Sequence, residues 1–108
     1  MTVSELCEAC GFSPLVMPEP EREVKGAYIG DLLSWVMGRA ECDNAWITIM
    51  SNINVIAVAS LADVACVILS EGVTLEDDIA KTASDKGINV LVSASPSYET
   101  AIGISEKI

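Results

Sequence analysis

The chain contains no histidine, and this absence narrows the chemistry open to it. Triads of the Ser-His-Asp type and Cys-His pairs both need an imidazole as general base, so neither can form here. The sequence also lacks the G-x-x-x-x-G-K-S/T string of P-loop proteins and the G-x-G-x-x-G string of dinucleotide-binding folds. We therefore predict that the chain is not an enzyme, has no catalytic residues and holds no cofactor.

Positive charge and long apolar runs are also scarce. Six Lys and Arg residues stand against sixteen Asp and Glu residues, which gives a formal net charge of -10. Such a charge repels phosphate backbones and anionic headgroups, so we expect neither nucleic acid nor a membrane as a partner. Polar residues interrupt the nearly uncharged segment 45–70, whereas a membrane span needs about 20 apolar residues. Glu5 and Glu8 stand where a secretory signal would be apolar, so we expect a cytoplasmic protein.

The four cysteines form no recognisable metal site. Cys7 and Cys10 make a single C-x-x-C pair, but a structural zinc site needs four ligands, and a redox pair normally follows a strand at a helix start. We interpret these two as structural thiols and predict no metal, with a metal or redox role as the alternative. Cys66 lies inside an apolar strand pattern and is predicted to be a small core residue.

Aromatic residues are few, at 5% of the chain, so the interior must be built from Ala, Val, Ile and Leu, as in helix-covered parallel sheets. Three short apolar segments, over residues 45–50, 65–69 and 89–92, each run into small polar residues and then a helical pattern. This succession predicts strand-loop-helix units. We predict one α/β domain over residues 1–108, with a mainly parallel sheet flanked by helices and a strand order left open.

Two helix starts carry the sequence of a capping box, a threonine followed three residues later by an acidic residue. These pairs are Thr2 with Glu5, and Thr74 with Asp77. They predict helices over residues 3–10 and 75–86, each closed by a glycine.

The remaining elements have weaker signals. Residues 15–17 and 24–29 are predicted strands, the second irregular or at an edge of the sheet. Gly30 and Asp31 predict a turn and a cap for a helix that ends at Gly38, and a last helix is predicted over residues 97–106.

A helix capped by Asn52 or Asn54 and running to about Asp63 is apolar on nearly every side. A helix without a polar face is buried. We therefore expect the sheet to cover one side of it, and another helix or another subunit to cover the other.

Polar residues cluster in the loops that follow the three core strands. Ligands of open α/β sheets bind at the carboxyl ends of the strands, where helix amino termini can hold anions without basic side chains. We predict that a small polar metabolite or nucleotide binds there; the alternative is that these residues serve only as caps and turns. The candidate ligand-binding residues are Ser51, Asn52, Asn54, Ser70, Glu71, Gly72 and Ser95.

Several strings of the sequence resemble the DRTGG domain family, and the resemblance runs from about Thr2 to the end of the chain. The strongest matches lie at residues 24–34, 45–48, 54–60 and 67–72. The family is also similar in topology to the amino-terminal domain of HPr kinase. Its members occur alone, beside cystathionine-β-synthase-type (CBS) domains, in regulated pyrophosphatases and before the catalytic part of large phosphotransacetylases.

The chain departs from the family pattern at the residues that give the family its name. The expected Asp-Arg pair is replaced within residues 51–54, and Thr-Gly-Gly becomes Ser70-Glu71-Gly72. Loss of the arginine weakens the case for a phosphate grip, so any ligand must be held by backbone amides and neutral side chains. The resemblance implies a non-catalytic regulatory or assembly module, often dimeric.

Two functions from different classes follow. The first is a regulatory module that binds a ligand at the strand-end loops. The alternative is a dimerisation or docking module that assembles with a larger enzyme and has no ligand of its own. Trp35, Trp46 and the nearly uncharged segment 45–70 favour this alternative, because they offer more apolar surface than a small domain easily covers. We accordingly expect a homodimer.

Overall fold

The structure is a computed structural model that describes residues 1–108 and contains five strands and five helices. The strands are β1 (Ser13–Val16), β2 (Ala27–Ile29), β3 (Ala45–Thr48), β4 (Cys66–Leu69) and β5 (Val90–Val92). The helices are α1 (Val3–Cys10), α2 (Leu33–Arg39), α3 (Ile53–Ala62), α4 (Asp77–Asp85) and α5 (Ser97–Ser105). The longest helix has ten residues, and none is long and apolar enough to cross a membrane.

The strands form one sheet in the order β1-β5-β4-β3-β2. The four strands from β2 to β5 run parallel to one another. Strand β1 alone runs antiparallel, at the edge beside β5. The predicted α/β fold with a mainly parallel sheet is therefore confirmed. Parallel neighbours require a crossover, and a helix lies between each consecutive pair from β2 to β5.

Alternate residues of the strands pack into two separate cores. Trp46, Val67 and Leu69 contact α2, α3 and α4 on one face of the sheet. Ile47 and Ile68 contact α1 and α5 on the other face. All four residues of β3 and of β4 are buried, because helices cover both faces of these central strands.

One of the two predicted capping boxes is confirmed. The Glu5 N–H donates to Thr2 Oγ1 at 3.1 Å, the Thr2 N–H donates to Glu5 Oε1 at 2.8 Å, and Gly11 ends α1 with a φ of 70°. The second box is wrong, because α4 begins only at Asp77, after Glu76, and has no side-chain cap. The chain before it stays outside the helix and buries the side chain of Leu75 in the core.

Helix α3 is buried on one side only within the single chain, so the predicted cover of that side is confirmed, and cover of its other side by another subunit stays a prediction. Its inner face lies in the core and consists of Val55, Ile56, Val58 and Ala59. The outer face is apolar yet accessible, with Ile53 47% and Leu61 72% exposed. An exposed apolar helix face of this kind is a candidate contact surface for another protein.

The edge strands and α2 also differ from the predicted ranges. Strand β1 begins two residues earlier than predicted and ends one residue earlier. Strand β2 is confirmed at an edge but is shorter, since Gly26 with a φ of 78° keeps the preceding residues out of the strand. Helix α2 passes through Gly38 and ends at Arg39, and its Ncap residue is Leu32 rather than Asp31.

Arg22 ties together the loops at the amino-terminal edge of the sheet. Its guanidinium donates to Asp43 Oδ1 at 3.0 Å and to Asp63 Oδ1 at 2.9 Å. Asp63 Oδ2 also accepts from the Cys42 thiol at 3.2 Å. The Cys42 hydrogen bond, and after it the Arg22 hydrogen bond, lower the pKa of the Asp63 carboxyl below its usual value.

Because its pKa is lowered in the folded chain, Asp63 is predicted to contribute to the free energy of unfolding, and this contribution is lost in acid. In the unfolded chain the group returns to an ordinary pKa of about 3.9. Because the folded-state pKa is lower, the stabilisation is complete above about pH 4 and is lost as the pH falls through the folded-state pKa. Asp63 has a φ of 56°, which Asn adopts readily, so Asp63→Asn is a suitable variant. Urea unfolding below pH 4 should show a shallower pH dependence for this variant; an unchanged slope would contradict the assignment.

Candidate functional site

The loop after β3 brings three of the predicted site residues to the start of α3. Asn52 is the Ncap, and its Oδ1 accepts from the Asn54 N–H at 2.9 Å. Ser51 is half-buried just before it, and Asn54 is exposed in the first turn of the helix. The predicted cap is therefore confirmed, and Asn52 keeps its NH₂ group for other contacts because only its oxygen serves the helix.

The loop after β4 is engaged with the loop after β5. The Glu71 N–H donates to the Ser95 carbonyl at 2.9 Å, and the Gly72 N–H donates to the Ser93 carbonyl at 2.8 Å. Ser70 is completely buried, and its Oγ lies 2.8 Å from Ser97 Oγ. The amides expected to be free near Gly72 are thus already bonded, because neighbouring parallel strands end side by side and their loops satisfy each other.

The start of α5 is held by the same pair of loops. Ser95 is exposed, but its carbonyl accepts both from Glu71 and from Thr100 Oγ1, the latter at 3.3 Å. Ser93 Oγ lies 2.7 Å from Thr100 Oγ1 inside the protein.

The structure therefore divides the predicted site. Of the seven predicted residues, four fasten the β4 loop to the β5 loop and the start of α5, two border an open groove, and Asn54 does neither. The first group is Ser70, Glu71, Gly72 and Ser95; the second is Ser51 and Asn52.

A groove of about 680 Å³ lies between the amino-terminal ends of α3 and α4, and we call it the α3–α4 groove. Six of its eight lining residues are polar. The lining consists of Ser51, Asn52, Ile53, Thr74, Glu76, Asp78, Ile79 and Thr82. Its volume falls in the range of small-molecule sites, roughly 300–1,000 Å³. Since it opens at the carboxyl ends of β3 and β4, it occupies the position where α/β folds bind ligands.

Sequence reasoning missed the α4 side of this groove. The spacing of Thr74, Asp78 and Thr82 was a usable signal, because residues four apart lie on one face of a helix. The acidic residues there also fit an ordinary solvated helix start, so they did not by themselves indicate a site. In the structure Asp78 and Thr82 are on α4 and Thr74 lies just before it, so one helix face and its entry form one wall.

The charge of the groove decides which ligands suit it. Glu76 and Asp78 are both exposed in its lining, and no Lys or Arg is among the lining residues. Thr82 Oγ1 donates to the Asp78 carbonyl at 3.1 Å, and Ser51 and Thr74 add two further hydroxyl-bearing side chains to the lining. Carboxylates accept hydrogen bonds and repel anions, so the groove suits neutral or positively charged groups that donate hydrogen bonds.

The side chain of Asp31 forms hydrogen bonds at the carboxyl end of β3, beside the α3–α4 groove. Its Oδ1 accepts from Thr48 Oγ1 at 2.7 Å and from the Ile49 N–H at 3.0 Å. The expectation that Asp31 caps α2 is therefore wrong, since its side chain reaches across to the end of β3. It satisfies there a main-chain donor left at the strand end.

A second groove, of about 450 Å³, lies between β2 and α2, and we call it the β2–α2 groove. It is lined mainly by apolar and aromatic side chains. The lining residues are Tyr28, Ile29, Gly30, Asp31, Leu32, Trp35 and Arg39. The Arg39 guanidinium lies 3.9 Å from the centre of the Trp35 ring, a cation–π contact on the surface.

Cys7, Cys10 and Cys66 have the environment of structural thiols, whereas Cys42 is exposed. Cys7 is buried and its Sγ donates to the Phe12 carbonyl at 3.3 Å. Burial raises the pKa of both Cys7 and Cys10, whereas reactive thiols have a lowered pKa. Cys66 is completely buried, as predicted, and its burial raises its pKa to about 12. No group of three or more Cys, Asp or Glu side chains is arranged to hold a metal ion.

Comparison with solved structures finds a similar fold in the regulatory region of a pyrophosphatase. The fold is similar to that in the crystal structure of the CBS and DRTGG domains of the regulatory region of Clostridium perfringens pyrophosphatase, complexed with its activator diadenosine tetraphosphate. The TM-score is 0.77 at 12% sequence identity, over 95% of this chain and 45% of that chain. This chain therefore spans less than half of the neighbour, and the likeness establishes the fold. No protein-family model and no curated protein matches the sequence.

Proposed function

We propose that the chain is a non-catalytic regulatory module, related to DRTGG domains and working in the cytoplasm, that binds a small polar metabolite in the α3–α4 groove. The observation that carries the proposal is the groove itself, a polar hollow at the carboxyl ends of β3 and β4. Its two carboxylates, on Glu76 and Asp78, are both exposed, unlike the unequal pair that acid–base catalysis uses. The fold shared with a regulatory region supports the same assignment.

The charge of the groove narrows the class of ligand. The sequence-based hypothesis included nucleotides, and the pyrophosphatase region binds diadenosine tetraphosphate. A phosphate chain is negatively charged and is held best by cationic donors, whereas this groove presents the carboxylates of Glu76 and Asp78 and no Lys or Arg. We therefore assign the groove to an uncharged or cationic metabolite that carries hydroxyl or amino groups. A nucleoside fits this description better than its phosphate.

A thermal-shift screen tests the proposal. The panel contains nucleosides, sugars, amino acids and polyamines, each with its phosphorylated counterpart where one exists. A ligand at 100 times its dissociation constant should stabilise the folded chain by about 2.7 kcal/mol. We expect stabilisation by uncharged or amine-bearing compounds and little by their phosphates. If no compound raises the melting temperature, or if only phosphates do, the proposed ligand class is wrong.

Two matched variants locate the binding. Asp78→Lys places a cation in the lining of the groove, and Asp77→Lys makes the same charge change at the adjacent residue, which is outside the lining. Both residues lie in the first turn of α4, so both variants lose the same favourable contact with the helix dipole. Asp78→Lys is expected to weaken binding at least about tenfold, which is about 1.4 kcal/mol. Equal effects of the two variants would argue against this groove.

A second candidate function, self-association, is favoured by an apolar surface at the β2 edge. Three apolar side chains border the β2–α2 groove: Ile29 is 51% exposed, Leu32 60% and Trp35 54%. Apolar clusters of this kind mark protein interfaces. Light scattering at micromolar concentration should give the mass of a dimer. A monomer mass would remove self-association, and the apolar surface would then be assigned to docking onto a larger enzyme.

A further inference from the structure

Strand β2 leaves one side of the sheet without a partner. It pairs with β3 in register, with Tyr28 opposite Trp46, and no strand lies beyond it. The Gly26 carbonyl accepts from the Ala45 N–H at 3.0 Å, and the Gly30 N–H donates to the Ile47 carbonyl at 3.2 Å. Main-chain groups of successive strand residues point to opposite sides. The N–H and C=O groups of Ala27 and Ile29 therefore point away from the sheet.

We propose that this edge pairs with the same edge of a second copy of the chain, antiparallel and about a two-fold axis at Tyr28. An isologous contact requires a surface that is complementary to itself. With Tyr28 at the centre, Ala27 of each copy faces Ile29 of the partner subunit. Since both residues present their main-chain groups outward, each such pair exchanges two hydrogen bonds. The ten strands would then form one continuous sheet.

Charge complementarity favours the same register. Lys25 lies three residues before Tyr28 and Asp31 lies three residues after it. An antiparallel pairing centred on Tyr28 brings the end that carries Lys25 next to the end that carries Asp31 in the partner subunit. The Lys25 side chain is exposed and lies 4.0 Å from Asp43. In a chain with a net charge of -10, such a pair of opposite charges offsets part of the repulsion between two copies.

Apolar burial supplies the driving force for this contact. Ile29 is on the edge strand, and Leu32 and Trp35 border the groove beside it. All three are half exposed in the single chain, so a partner at this edge would remove them from water together. An unprotected edge is otherwise a liability that folded proteins cover or charge. Ile29 places an apolar side chain there instead, which is what an interface requires.

Sedimentation velocity of three proteins tests the pairing. Ile29→Lys puts a charge on the edge, and Leu61→Lys makes the equivalent change on the exposed outer face of α3. We expect a dimer for the unchanged chain and for Leu61→Lys, and a dimer dissociation constant raised more than about tenfold for Ile29→Lys. Loss of the dimer with Leu61→Lys alone, or a dimer that survives Ile29→Lys, would overturn the β2 edge as the interface.

Amide hydrogen exchange keeps the proposal testable even if Ile29→Lys fails to fold. In the unchanged chain the amides of Ala27 and Ile29 should be protected at high protein concentration and exchange faster on dilution. Fast exchange at both concentrations would overturn the pairing. This inference rests on the second candidate function, self-association. A monomeric chain would contradict both self-association and the β2 pairing. A dimer with unprotected edge amides would contradict only the β2 pairing.

Discussion

Replacing Trp46 with alanine is expected to destabilise the folded chain by about 3–5 kcal/mol. Trp46 is completely buried between the sheet and the helices α2 and α3, and it is the largest side chain in the core. Its Nε1 also donates to the Gly30 carbonyl at 2.9 Å. The substitution thus leaves a large cavity and an unpaired carbonyl in the turn after β2. Because single domains are stable by only about 5–15 kcal/mol, the variant should be close to unfolding at ambient temperature.

The second tryptophan provides a matched control. Trp35 is half exposed on α2, and its ring contacts Arg39 rather than the core. Trp35→Ala should therefore change the stability of the single chain by no more than about 1 kcal/mol. Guanidinium unfolding followed by far-UV circular dichroism, at a concentration where the chain is monomeric, compares the two variants. Comparable losses for both would contradict the assignment of Trp46 to the core.

Replacing Asn89 with alanine is the second large effect, a loss of about 2–3 kcal/mol. Asn89 is buried just before β5 and binds three main-chain groups with its amide. Its Oδ1 accepts from the Glu19 N–H at 2.9 Å, and its NH₂ donates to the Glu19 carbonyl at 2.8 Å and the Ala65 carbonyl at 3.0 Å. Alanine leaves these groups without partners, and a buried group without a partner costs about 1–3 kcal/mol.

Asn54 is the control for this variant. Its side chain is exposed in the first turn of α3 and makes no hydrogen bond within the protein. The free energy of unfolding of Asn54→Ala should therefore differ from that of the unchanged chain by no more than about 0.5 kcal/mol. Urea midpoints of both variants provide the measurement. If the urea midpoint of Asn89→Ala matched that of Asn54→Ala, the proposed role of the Asn89 amide, which is to hold the loop at Glu19 to the sheet, would be wrong.

Much of the fold was predictable, because its signals are local. The capping box of Thr2 with Glu5 and the apolar runs of β3 and β4 depend only on neighbouring residues, and each produced the expected element. Thr74 and Asp77 carry the same local signal and failed. Burial of Leu75 keeps that segment outside α4, and burial of one side chain is a tertiary effect that overrides local preference. Asp31 likewise bonds to Thr48, which is 17 residues away.

The candidate site was predictable in position but not in composition. The carboxyl edge follows from the parallel sheet, and Ser51 and Asn52 do border the groove there. Ser70 has the same chemistry as Ser51 in the sequence, yet it is buried against Ser97, because β4 is central and its loop is covered by that of β5. Side-chain type does not distinguish a hydroxyl that faces a groove from one that bonds a neighbouring loop. Only the packing of the loops separates them.

A nuclear magnetic resonance titration tests the central claim, that the α3–α4 groove binds a small polar metabolite. The ¹⁵N-labelled chain is titrated with the compound that stabilises it most in the thermal-shift screen. We predict saturable shift changes confined to the amides of residues 51–54 and 74–82, which border the groove. Saturable changes centred instead on the β2–α2 groove, at residues 28–39, or the absence of any saturable change would contradict the account.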